Sequence, residues 1–254
     1  MTGFKELHHN EEPLLLGNVW NVQSAKIYEN AGYKALATSS SAVALSLGYE
    51  DGEQMSFDEY FYMIRRIKAS VSVPLSVDLE AGYGADGDLI VSNITRLLDI
   101  GIAGINLEDT YMEDGVRQLA GREAFSEKLK DIIVKLKERR TEIFINVRTD
   151  PFLLGIDHAL KETLERIRLF EELKIDGIFI PGMTAEADIQ TVVKATSLPV
   201  NVMCLPGLPD FNTLKRLGIR RITSGAFLNR HIYKELERVC GIIKDNQSFS
   251  PLFT

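Results

Sequence analysis

Two acids set two residues apart, Asp78 and Glu80, stand out in the stretch Ser76-Val77-Asp78-Leu79-Glu80-Ala81-Gly82-Tyr83-Gly84. An apolar run from Pro74 to Val77 leads into them, and a glycine-rich turn follows. In an extended strand alternate side chains share a face, so this spacing predicts both carboxylates on one side of a strand end. Such a pair suits a hard divalent cation, typically magnesium, which keeps several waters and takes only one or two carboxylates directly. Gly82 and Gly84 let the backbone turn tightly or approach a ligand closely. A charged loop after a buried strand would leave the same letters, because acidic turn residues are common.

More acids and one arginine fall in comparable places. Glu108 ends the run Gly104-Ile105-Asn106-Leu107, Arg148 ends the run over 143–148, and Asp51 lies in a loop after an earlier run. Asp51, Asp78, Glu80 and Glu108 would repel one another unless a cation lay between them. Arg148 adds a planar fork for a carboxylate or phosphonate, or else an ion pair with Asp150. Cation plus arginine is the arrangement expected for an anionic 2-oxo acid whose enolate must be stabilised.

The elements that must carry these groups alternate. Short apolar runs at 14–18, 35–38, 75–78, 104–108, 143–148, 177–180, 200–203 and 221–223 predict strands. Helical periodicity follows them near 22–31, 57–69, 88–100, 126–139, 156–173, 185–196, 210–217 and 227–243. A serine-rich loop is expected after the second run and a polar loop after the fourth. Strands alternating with helices imply a parallel sheet with right-handed crossovers. Eight such units in 254 residues predict one α/β domain over 1–254, a closed (β/α)8 TIM barrel. No G-x-G-x-x-G follows the first strand, which weakens an open doubly wound sheet. In a barrel the chemistry sits at the C-terminal strand ends, where the acids and Arg148 fall.

Composition narrows the partners. The net charge of −7 and pI near 5.3 argue against a nucleic-acid or anionic-membrane surface. Cys204 and Cys240 give neither a disulfide framework nor zinc spacing, which fits a reducing cytoplasm. Residues 1–12 are polar and do not read as a signal peptide, and no apolar run approaches the roughly 20 residues of a membrane span.

Five pieces, in order, resemble the isocitrate lyase/phosphoenolpyruvate mutase superfamily: Gly17-Asn18-Val19-Trp20; Thr38-Ser39-Ser40-Ser41 with Leu47-Gly48-Tyr49-Glu50-Asp51-Gly52; Asp78-Leu79-Glu80-Ala81-Gly82-Tyr83-Gly84; Gly104-Ile105-Asn106-Leu107-Glu108-Asp109; and Asn146-Val147-Arg148-Thr149-Asp150. The resemblance implies a barrel that binds Mg2+ and cleaves or rearranges C–C or P–C bonds beside a 2-oxo acid. It implies Asp78 as direct metal ligand, with Asp51, Glu80 and Glu108 holding the metal's waters. It implies Ser39, Ser40 and Ser41 as the grip on the substrate carboxylate, Trp20 as a pocket wall and Arg148 as the substrate clamp. Asn201, at the start of the seventh strand, joins the expected substrate contacts. The last helix, 227–243, is the element such proteins exchange between subunits, so a homotetramer built as a dimer of dimers is expected.

The departures from the family pattern are as specific. Lyases of the family carry a lysine-arginine-cysteine-glycine-histidine loop after strand four, with the cysteine as proton donor. Residues 110–122 here contain neither cysteine nor histidine, nor the lysine and asparagine of the mutases. Glu80 stands where better-known members have aspartate. His158 and His231 lie on helices, Met183 reads as core, and Cys204 as a pocket residue or a buried hydrophobe. Tyr83, Tyr111 and Arg122 are further candidates for a proton donor or loop clamp. The leading expectation is a Mg2+-dependent lyase or decarboxylase acting on a small 2-oxo carboxylate through an enolate. P–C bond chemistry at phosphonopyruvate and a non-catalytic 2-oxo-acid-binding barrel are the alternatives. A phosphosugar barrel using Gly207 and Ser224-Gly225 ranks below them.

Overall fold

In the computed structural model, residues 3–253 are described. Eight parallel strands close into a barrel: β1 (Leu14–Val19), β2 (Leu36–Thr38), β3 (Leu75–Asp78), β4 (Gly104–Glu108), β7 (Phe144–Arg148), β8 (Gly177–Phe179), β9 (Val200–Met203) and β10 (Arg221–Thr223). Leu14 pairs with Arg221 and closes the ring. Apolar side chains line the outward face of the strands because the surrounding helices cover it. Outward side chains such as Leu36, Leu75, Val77, Ile105, Leu107, Val147, Ile178 and Val202 pack with the surrounding helices into the main core. The inward positions carry Ser76, Asn106, Asn146, Asn201 and Arg221, all buried. Polar groups thus fill the barrel below its mouth.

The expected helices are present, with ends shifted by a few residues. They are α2 (Val22–Asn30), α4 (Phe57–Lys68), α5 (Gly87–Asp99), α6 (Arg122–Glu138), α7 (Ala159–Glu172), α8 (Glu186–Ala195), α9 (Phe211–Leu217) and α10 (Phe227–Asn246). The short α1 (Phe4–Leu7) lies under the barrel. Phe4 and Leu7 join Leu14, Leu16, Ala35, Ala37 and Phe144 in a second apolar cluster, and His8 stacks on Phe144 at 4.2 Å.

Three expectations are corrected. The serine-rich loop is a helix, α3 (Ser40–Leu47), whose N-cap Ser39 accepts from the Ala42 amide. Serine favours that cap, and the alanine and leucine behind it favour helix. The polar loop after β4 is an antiparallel hairpin of β5 (Thr110–Glu113) and β6 (Val116–Leu119). Its two-residue turn, Asp114-Gly115, has φ of 50° and 76°, a type I′ geometry that suits Asp-Gly. Third, Asp78 and Glu80 do not share an extended strand. β3 ends at Asp78, and Glu80 takes the left-handed region at φ 50°.

α10 departs from the usual barrel helix. Only Asn229 of its 20 residues is buried, while Leu228, Ile232, Tyr233 and Leu236 are exposed. A cleft of about 470 Å³ lies between it and α2, lined by Trp20, Ile27, Tyr28, Ile232 and Tyr233 among others. No helix among the described residues is long and apolar enough to cross a membrane.

Candidate active site

The acids gather at the C-terminal mouth, and each is held by named donors. Asp78, the last residue of β3, accepts from Ser40 Oγ at 2.9 Å on one oxygen and from Asn106 Nδ2 at 3.1 Å on the other. Its backbone is fixed as well: its amide donates to Thr38 Oγ1 at 3.1 Å, and its carbonyl accepts from the Tyr60 hydroxyl at 3.1 Å. Glu80 is buried, accepting from the Tyr83 hydroxyl at 2.8 Å and the Glu53 amide at 3.0 Å. Burial pushes its carboxyl well above the usual range, and the charges of Asp51 and Glu108 push the same way. Despite the left-handed turn, Glu80 lines the same cavity as Glu108.

Glu108, at the end of β4, is 2% exposed. Its Oε1 accepts from Thr110 Oγ1 at 2.6 Å and from Arg117. Its Oε2 lies 2.8 Å from Arg148 Nη1, yet no donor is aligned on it as a hydrogen bond. Burial raises this carboxyl to about 7, against the pull of Arg148 and Arg117. Arg148 is gripped by Asp150 in a two-point fork, Nε to Oδ1 at 2.8 Å and Nη2 to Oδ2 at 2.6 Å. The ion pair with Asp150 is therefore present, and it leaves the Nη1 edge turned to Glu108.

Arg117 is the functional candidate that sequence reading missed. Cross-strand register places it opposite Met112, with Thr110 and Leu119 on the same hairpin face. From there it reaches Glu108, Thr110 Oγ1 at 3.0 Å and Asp51 Oδ2 at 3.0 Å. Met112 packs on Gly52, where a Cβ would meet its Cγ at 2.5 Å and φ is +97°. Asp109 secures the hairpin's base: buried, it accepts from Thr149, the Asp150 amide and Arg166, whose other arm holds the Ala120 carbonyl at 2.6 Å. The hairpin thereby roofs a cavity of about 300 Å³ lined by Glu53, Glu80, Glu108, Tyr111, Met112 and Arg117, among others. Glu53, Glu80 and Tyr83 around it all have positive φ, at 59°, 50° and 53°. Such backbone strain costs of order 1–3 kcal/mol per residue and clusters at functional sites.

The remaining expected residues divide. Ser40 meets Asp78, whereas Ser39 caps α3 and Ser41 lies within it. Trp20 is buried beside the α2–α10 cleft. Asn201 spends its amide inside the barrel on the carbonyls of Val202 and Arg221. Arg122 pairs with Glu123 and Glu162. The Ser224 and Gly225 amides both donate to Asn18 Oδ1, at 2.8 and 3.0 Å, so a phosphate there would have to displace an internal partner. Cys204 is exposed and lines an apolar cleft with Leu205 and Leu208, Met183 is core, and His231 is exposed.

A closed parallel barrel with carboxylates and guanidinium groups converging at one mouth defines a (β/α)8 enzyme. The Phosphoenolpyruvate phosphomutase family profile matches residues 4–244, and the chain belongs to that family, within the isocitrate lyase/phosphoenolpyruvate mutase superfamily of lyases and mutases. A Burkholderia cenocepacia protein assigned as a phosphonomutase superposes with a TM-score of 0.87 at 33% identity, covering 94% of this chain and 97% of its own. An uncharacterized protein of Mycobacterium tuberculosis is 30% identical over 223 residues, 88% of this chain and 81% of the relative. An oxaloacetate decarboxylase of a Bradyrhizobium species is 27% identical over 217 residues, 81% of this chain and 70% of the relative.

Proposed function

We propose that the chain is a Mg2+-dependent lyase that cleaves a C–C bond of a small 2-oxo carboxylate, oxaloacetate-like in size, through an enolate. One observation carries the reading: Glu108 keeps a buried oxygen that has no aligned donor 2.8 Å from Arg148 Nη1, among three other acids at the strand ends. The donor set is all oxygen, which suits a hard cation. Among the described residues no three acids lie close enough to enclose an ion directly. That fits an ion that keeps most of its waters, held directly by Asp78 and through water by Asp51, Glu80 and Glu108. When bound, the cation would supply Lewis-acid polarisation of the 2-oxo group.

The protein's own groups do the rest. Arg148, pre-aimed by Asp150, would present its Nη1 edge to a substrate carboxylate in exchange for Glu108, its partner there now. Arg117, paired with Glu108 and Asp51 here, is a second guanidinium at the site and would meet a substrate's second acid group only by exchanging one of those partners. With such a substrate, decarboxylation breaks the C3–C4 bond and releases CO2, the bonding electrons pass into the 2-oxo group as an enolate, and one proton then gives pyruvate. The hairpin covers part of the cavity, and charges shielded from water in this way interact more strongly. The phosphonomutase assignment of the Burkholderia relative favours a second reading, in which the bond made or broken is P–C.

The test is a panel of 2-oxo acids, 2-hydroxy tricarboxylates and phosphonopyruvate, each with Mg2+, following pyruvate release. Release from a 2-oxo dicarboxylate, abolished in Asp78→Ala, is the expected result. Release that survives this substitution removes the metal assignment, and turnover confined to phosphonopyruvate moves the chemistry to P–C.

A further inference from the structure

Beneath the acids lies one more charged side chain, outside the chemistry described so far. Arg221, on β10, is 1% exposed and, among the described residues, forms no ion pair. Its Nε and Nη1 have no hydrogen-bond partner among the described residues. Its Nη2 donates to Asn106 Oδ1 at 3.3 Å. β10 and β4 are separated by β9, β8 and β7 around the ring, so this bond crosses the barrel interior.

The crossing fixes an orientation. A guanidinium has only donors, so it can meet Asn106 only through the amide oxygen. The same oxygen accepts from Asn146 Nδ2 at 2.9 Å. The Asn106 NH2 is thereby forced to the other side, where it donates to Asp78 Oδ1 at 3.1 Å. Were the amide reversed, two donors would face its NH2 from below and two acceptors would face each other above. We propose that Arg221 is a positioning residue for Asp78: by fixing which way the Asn106 amide points, it holds the Asp78 carboxylate aimed at the mouth. This rests on the reading of Asp78 as the metal-holding carboxylate.

Charge argues the same way. A cation buried without compensation is costly. Burial brings the Arg221 guanidinium down to about 9, still charged at neutral pH, and Asp78 is the charge that opposes the shift. A side chain needed only to fill space would be served by methionine at no such cost.

The experiment is direct Mn2+ binding, read by electron paramagnetic resonance on the full chain, for wild type, Arg221→Met, Arg221→Lys and Asp78→Asn, with unfolding temperatures measured in parallel. Groups hydrogen-bonded directly to a metal ligand typically cost roughly 10- to 100-fold in affinity when removed, and Arg221 stands one step further back, behind Asn106. Arg221→Met is expected to weaken Mn2+ by the lower end of that range, roughly 10-fold, and Arg221→Lys to recover most of it. A folded Arg221→Met with wild-type affinity, altered only in unfolding temperature, overturns the proposal. If Arg221→Met does not fold, Arg221→Gln, which loses the charge, takes its place under the same criterion. If the wild type binds no Mn2+, the metal reading is what fails. The crystal structure of the variant then decides on Arg221 alone: an Asp78 carboxylate parted from Asn106 supports the positioning role, and an unmoved Asn106–Asp78 pair refutes it.

Discussion

Glu108 has one oxygen crowded by donors and another that none addresses squarely. Arg117 supplies part of that crowding and also holds Asp51, so it acts as an internal counter-cation for two of the acids. Breaking a buried pair on one side typically costs 3–5 kcal/mol, and the partial exposure of Arg117 and Asp51 brings the expected loss for Arg117→Met to about 2 kcal/mol. Added Mg2+ should restore more of the unfolding temperature in this variant than it adds to the wild type. Equal thermal shifts in the two proteins would dissociate Arg117 from the cation site. At the other end of the barrel, burial lowers His8 to about 3, and the Arg221 charge adds to the effect. The folded state then resists a proton that the unfolded chain takes up near 6.5. This contribution is complete above pH 6.5 and is lost as pH falls from 6.5 toward 3, by about 1.4 kcal/mol per unit. Urea midpoints of wild type and His8→Gln should therefore converge on acidification; parallel pH profiles would contradict it.

The hairpin β5–β6 meets the 51–52 turn through two contacts, Met112 on Gly52 and Arg117 on Asp51. Gly52→Ala forces a side chain into a left-handed position already filled by Met112, a backbone cost of roughly 1–2 kcal/mol before any clash. We expect trypsin to cut after Arg117 several-fold faster in that variant, and an unchanged cleavage rate would mean that the hairpin is held elsewhere. Elements of this kind mark the limit of what the letters convey. The eight strands were legible because each short run is mostly apolar, its outward side chains, such as Leu75 and Val77 or Ile105 and Leu107, flanking a single inward polar residue. Asp78, Glu80, Glu108 and Arg148 were legible because they end those runs or follow them closely. The hairpin was not, since Tyr111, Glu113 and Val116 are exposed and its polar sequence resembles a loop; only Asp114-Gly115 signalled the turn. Arg117 was hidden with it. Arg221 escaped notice because it begins its strand and lies far from the mouth, so nothing local revealed that its side chain crosses to β4.

At the scale of the molecule, α10 has too little contact with its own barrel to account for its apolar side chains. Ile232, Tyr233 and Leu236 together with Ile27 of α2 leave an apolar surface of the kind that subunit contacts cover. We expect the chain to assemble, with the family's exchange of this helix as the arrangement to look for. Sedimentation should find a multiple of 28.5 kDa for the wild type and a smaller species for Leu236→Glu; a wild type that sediments as a monomer at micromolar concentration would rule this out.

The packing of α1 under the strands has a consequence for traffic. Phe4, Leu7 and His8 stopper the floor of the barrel, and Arg221 with the asparagines fills its shaft. Among the described residues the floor is filled, so a ligand at the acids would come and go from the C-terminal side, and a departing product would stand in the way of the next arrival.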